Sequence, residues 1–151
     1  MIVRLKESIF PLFFALSACS WVPHWACHYY RLETGSSFVV GSWSFSTMDS
    51  YISLVVYSTL IGLNVLAVGI TKFRVSTALV SGLLHLVIGS LHIYRLWSPF
   101  TFEVFGYEWS LGASLREVLI VVPFGILCLV VAFGRELTAE GTKGKEELHR
   151  A

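Results

Sequence analysis

The sequence predicts an all-α integral membrane protein: a four-transmembrane-helix bundle made of two tandem helical hairpins, with short β-hairpin-like outer loops. Three observations carry that expectation. The 151 residues are 55% hydrophobic and only 14% charged, too apolar a mixture for a soluble domain of this size. Four apolar runs reach the roughly 20 residues a helix needs to cross a hydrocarbon core. A short motif also recurs at corresponding places in the two halves, "HYYRL" at 28–32 and "HIYRL" at 92–96.

The first span covers about Ile9 to Tyr30 and follows the basic pair Arg4 and Lys6. The same segment supports a competing reading. Its basic start, the apolar "IFPLFFA" and then "LSAC" ending at Cys19 are the parts of a bacterial lipoprotein signal, whose cleavage before Cys19 would remove residues 1–18 and leave three spans. An outer loop at 31–50 leads to the second span, about Tyr51 to Thr71, which closes a first hairpin over residues 1–71. The second hairpin, 72–134, has spans from about Val75 to Trp97 and Leu115 to Gly134, with an outer loop at 98–114. The central link is so short that the second and third helices must be antiparallel neighbours. Residues 135–151 mix both signs of charge and read as a polar cytoplasmic tail.

Helices are expected because backbone groups in lipid must be satisfied within the segment. Both outer loops hold a central Gly followed by Trp-Ser, "VVGSWSF" at 39–45 and "VFGYEWSL" at 104–111, so the offset between the copies drifts from 64 to 66. Aromatic, β-branched and serine residues around that Gly point to short strands or hairpins. Both copies start on the same side, so they form parallel repeats about an axis along the membrane normal. Gly62 and Gly69 on the second span, and Ala78, Gly82 and Gly89 on the third, are read as close-packing positions. Asn64 is expected to bond a neighbouring helix.

Eight of the eleven Lys and Arg residues lie at the N-terminus, in the central link and in the tail. The positive-inside rule then places both termini in the cytoplasm. A net charge of +1 argues against nucleic acid as a partner. Cys19, Cys27 and Cys128 all fall within spans and form no Cys-x-x-Cys, so a disulfide framework is not expected. Zinc-protease, Walker, dinucleotide and nucleophile-elbow patterns are absent, and so are paired intramembrane carboxylates.

The titratable residues within the spans are therefore the candidates for chemistry. Helical spacing puts Trp21, His24, His28 and Arg31 on one face of the first helix and His85, Ile88, His92 and Arg95 on one face of the third. Facing the axis, His28 and His92 would meet at one level, with His24 about 6 Å and His85 about 10 Å deeper. Paired imidazoles from two helices hold a haem iron, and Arg31 and Arg95 would suit its propionates. A quinone headgroup is the other ligand such a pocket would take. Set against this, Trp, Tyr, His and Arg collect at span ends in any membrane protein as an interfacial belt.

Three functions follow, in order. The first is a non-catalytic subunit or scaffold of a larger membrane complex, with other membrane subunits or further copies of itself as partners. The second is a membrane electron carrier binding haem b or quinone through His24, His28, His85 and His92. The third is a metal or small-solute transporter, ranked last because the inner halves of the spans offer only Asn64 and scattered Ser and Thr.

Overall fold

The computed structural model describes the backbone of residues 2–148 and the side chains of 9–134. Helix α1 spans Ile2–Thr34, α2 Thr47–Gly69, α3 Arg74–Trp97 and α4 Leu111–Leu148. Each contains a stretch long and apolar enough to cross a bilayer. The expected spans were cut short at the loop ends of α1, α2 and α4, because polar residues that cap or clamp a helix end were counted as loop. The segment read as a polar tail continues α4 as helix to Leu148. Its side chains, and residues 149–151, lie outside the described residues.

The helix ends have identifiable causes. At the start of α2, Ser46 Oγ accepts from Asp49 N at 3.2 Å and the Asp49 carboxylate accepts from Ser46 N at 2.7 Å, a reciprocal capping box. Ser110 Oγ accepts from Ala113 N at 3.2 Å at the start of α4. Gly35, with φ of +67°, takes the left-handed position after α1. A 3₁₀ turn at Thr71–Phe73 joins α2 to α3. There Arg74 donates from Nε to Ala67 O at 2.9 Å and from Nη2 to Val68 O at 3.1 Å. It satisfies two of the carbonyls that α2 leaves open at its C-terminus.

The hairpins expected in the outer loops are present, and they add one feature to the helical bundle. Each outer loop folds into a hairpin, β1 (Phe38–Val40) with β2 (Trp43–Ser44) and β3 (Phe102–Val104) with β4 (Tyr107–Glu108). The two hairpins then pair, giving one antiparallel sheet in the order β2-β1-β3-β4. The β1–β3 register, Phe38 with Val104, Val39 with Glu103 and Val40 with Phe102, is symmetric about its central pair. An approximate twofold axis therefore passes between Val39 and Glu103.

That register also corrects the repeat. Val39–Ser44 and Glu103–Glu108 are matching pairs of the two hairpins, as are Val40–Trp43 and Val104–Tyr107, so the offset is a constant 64. The drift came from matching Gly to Gly and Trp-Ser to Trp-Ser. Gly41 fills the first turn position with φ of +62°, whereas the second turn has positive φ at both Phe105 (+59°) and Gly106 (+78°). These are the φ patterns of types II′ and I′, either of which closes a two-residue hairpin. The glycine thus moved by one position without changing the register.

The axis end away from the sheet is closed by Phe13, Phe14, Ala67, Ala78, Cys128 and Ala132. Gly82 and Gly89 do pack closely. A Cβ on Gly82 would meet Gly125 O and Cys128 Cβ at 3.0 Å, and one on Gly89 would meet Val122 Cγ2 at 2.5 Å. Gly62 and Gly69 do not, with nothing within 4 Å of either. Helix α2 instead buries Leu60, Asn64 and Ala67 and turns its glycines outward.

Candidate functional site

The repeated His-x-Tyr-Arg-Leu motif places one polar cluster in each hairpin, at the end of the bundle beneath the sheet. Arg31 reaches from the last turn of α1 to the start of α2, donating to Ser50 Oγ at 2.8 Å, to Ser46 O at 3.1 Å and to Phe45 O. Arg95 does the same from α3 to α4, donating to Ser114 Oγ at 2.7 Å, to Ser110 O at 3.2 Å and to Trp109 O. Every one of these partners is displaced by 64. Arg95 makes one further bond, Nε to Phe100 O at 2.9 Å, while Arg31 Nε is buried without a partner.

The histidines complete the clusters. His28 Nδ1 lies 3.3 Å from Ser50 Oγ and His92 Nδ1 lies 3.2 Å from Ser114 Oγ. Each serine oxygen already accepts from an arginine, so its single hydroxyl proton is free to donate to the imidazole. The order Arg to Ser to His then fixes Nδ1 as acceptor and leaves the ring proton on Nε2. His28 packs on Phe38, Phe45 and Tyr57, and His92 on Phe102. Both serines are fully buried. Each cluster pins the exit of one helix to the entry of the next and to the strands between them.

The expected meeting of His28 with His92 is replaced by a different contact. The residues whose rings meet across the axis are Trp21 and His85, also 64 apart, with centroids 4.0 Å apart and planes tilted by 47°. His85 donates from Nδ1 to Ser81 O at 2.7 Å, and its Nε2 is 3.1 Å from Ser20 Oγ. His24, half-buried, is 3.3 Å through Nδ1 from Ser20 O and packs against Trp21 and Tyr57. A haem iron needs two imidazole nitrogens aimed at one point. The repeated pair and its arginines act as internal clamps: each imidazole is bonded to serine through Nδ1, and each guanidinium to serine and backbone. Among the described residues no three His, Cys, Asp or Glu side chains are grouped as metal ligands.

Three features escaped the sequence reading. The clamp serines, Ser50 and Ser114, and the cap serines, Ser46 and Ser110, recur at the offset of the histidines, and a strict comparison at 64 would have found them. Buried Ser81, Thr77 and Arg74 continue the His85 face of α3, so the scattered Ser and Thr are in fact aligned. As expected, Asn64 bonds a neighbouring helix, donating to Ser81 Oγ at 3.0 Å. Arg116 and Glu117 line an open groove of about 480 Å³ with Glu108, Trp109 and Ile120.

Fold and site together define a class: a two-repeat, four-helix protein with a shared four-stranded cap, each repeat locked by a His-Arg-Ser cluster. Compared with protein-family models, curated proteins and solved structures, the chain matches none.

Proposed function

We propose that the protein is an integral membrane protein, with both termini and the Ile70–Arg74 link on the cytoplasmic side and the sheet on the opposite side. In this reading it serves as a non-catalytic subunit of a larger membrane assembly, with other membrane chains or further copies of itself as partners. The observation that carries the reading is the use of the repeated motif. His28, His92, Arg31 and Arg95 are the side chains best able to do chemistry, and all four are bonded into the clamps. The sheet end still presents large amphipathic side chains outward: Trp43 is 61% exposed, Tyr107 77% and Trp97 89%. Aromatic residues of this kind are enriched both in interfaces and at the headgroup level of a bilayer.

The test is a photo-crosslinking residue placed at Trp43 and, separately, at Tyr107 in the protein in its native membrane, followed by gentle extraction and native mass measurement. The reading expects a stoichiometric adduct with another chain or a second copy, within an assembly heavier than the monomer. A lone monomer with no adduct at either position contradicts it.

One observation favours a second reading, transport of a small solute. Arg74, Thr77, Ser81, His85, His92 and Arg95 are all buried and run along one face of α3 from end to end. Uptake into vesicles that is lost in His85→Ala would support it, and uptake unchanged by that substitution would not.

A further inference from the structure

The middle of the bundle contains more hydrogen-bonding atoms than it satisfies. Trp21 Nε1, Asn64 Oδ1 and Thr77 Oγ1 are buried with no hydrogen-bond partner, and buried Ser17 Oγ has only the weakly bonding thiol of Cys128 beside it. Their residues are at most 1% exposed. A buried donor or acceptor left unpaired is destabilising, and native interiors seldom tolerate several together.

These four atoms belong to one connected neighbourhood. The Trp21 ring packs at a tilt against His85, which is bonded to Ser81 O and approaches Ser20 Oγ. Ser20 Oγ also bonds Ser17 O at 2.7 Å. Ser81 Oγ holds Asn64, and Thr77 lies one turn from Ser81 on the same buried face. Ser17 adjoins the Cys128 thiol, so all four helices contribute. There is also a shortage of protons. A carbonyl can only accept, so His85 donates through Nδ1 and its neutral Nε2 must accept. Ser20 has one hydroxyl proton for two acceptors, Nε2 and Ser17 O.

We propose that this region is a water-binding site: ordered water inside the bundle bonds Trp21 Nε1, Asn64 Oδ1 and the hydroxyls of Ser17 and Thr77, and supplies the missing donor at Ser20 and His85. Water suits the set because the orphaned groups include both donors and acceptors and carry no charge. Buried water commonly makes about three bonds to such groups. The occupied site joins His85 to Asn64 through a hydrogen-bonded run that ends toward Arg74. The inference stands independently of the subunit reading, since it concerns atoms that no partner chain can reach.

The test uses the full-length protein in lipid bilayers with selectively ¹⁵N-labelled tryptophan. Its five tryptophans give five indole signals, and the Trp21 signal is identified as the one missing in Trp21→Phe. Water-edited solid-state NMR is expected to show magnetisation passing from water to the Trp21 indole, and the indole proton is expected to exchange in D₂O. Ser17→Ala combined with Asn64→Leu should abolish that transfer while leaving the signals of the other four tryptophans in place. The wild-type measurement is decisive even if the double variant does not fold. No transfer to Trp21, together with full protection from exchange, overturns the proposal. So does a co-purifying small molecule whose removal changes the Trp21 signal, since the occupant would then be that molecule.

Discussion

Replacing Arg95 with methionine keeps the length of the side chain and removes the fork that holds the second hairpin together. Arg95 is 2% exposed, and its guanidinium donates to Phe100 O, Trp109 O, Ser110 O and Ser114 Oγ. Each buried acceptor left unpaired costs about 1–3 kcal/mol. Ser110 O also accepts from Ser114 N and Ala113 N, which reduces its share; with three acceptors left short and the desolvation cost of the buried cation relieved, the net loss is about 3–5 kcal/mol. The first repeat provides an internal control. Arg31 has the same bonds except that its Nε has no partner, and it is only half-buried, so water can replace part of what Arg31→Met removes. That variant should lose about 1–3 kcal/mol, fewer by roughly one charge-assisted hydrogen bond. In globular chains of this size 1 kcal/mol corresponds to about 2–4 °C in Tm. Thermal unfolding in detergent, followed by helical circular dichroism, should therefore drop by roughly 6–20 °C for Arg95→Met and clearly less for Arg31→Met. Arg95→Lys should fall between wild type and Arg95→Met, because an ammonium restores charge without the planar fork. Equal losses in the two repeats, or a change in Arg95→Met below about 1 kcal/mol, would refute the clamp.

Other consequences are measurable in the same unfolding assay. Ser50→Ala and Ser114→Ala each remove the oxygen shared by an arginine and a histidine, and should destabilise by similar amounts, about 1–2 kcal/mol. Gly89→Ala would place a Cβ 2.5 Å from Val122 Cγ2, whereas Gly62→Ala meets nothing within 4 Å. The first should lower stability by about 1–3 kcal/mol through overpacking and the second should be close to neutral. Phe105 adopts a φ of +59°, so Phe105→Gly or Phe105→Asn should relieve strain. Gly41→Ala, at +62°, should cost about 1–2 kcal/mol. A Phe105→Gly variant less stable than wild type would show that the Phe105 ring, 4.8 Å from Tyr30, contributes more than the turn loses.

The spans were legible because apolar length is a one-dimensional property, and helical spacing grouped the residues of one face of α1 and of α3, while only the repeat suggested that those faces turn inward. Trp21 and His28 on one, and His85, His92 and Arg95 on the other, are all buried. What those faces would touch was not legible. Bringing His28 to Ser50 depends on how α2 enters beneath the sheet, and the sheet depends on two hairpins meeting at Val39 and Glu103, a pairing of residues far apart in sequence. The repeat was seen but misaligned. Identical letters at Gly41 and Gly106 drew the comparison off register, while the chemically informative matches, Ser46 with Ser110 and Ser50 with Ser114, are common residues that attract no notice. The glycines of α2 show the complementary error: small residues permit close packing but do not require it.

The central claim is that the two copies of His-x-Tyr-Arg-Leu are a pair of structural clamps rather than a pair of ligands. The most direct test is the oxidised and dithionite-reduced absorption spectrum of the protein extracted gently from its native membrane, taken alongside His28→Ala and His92→Ala. The account predicts spectra without a histidine-dependent chromophore in all three samples, with both variants less stable than wild type. A Soret band with sharpened α and β bands on reduction, lost when either histidine is replaced, would contradict it.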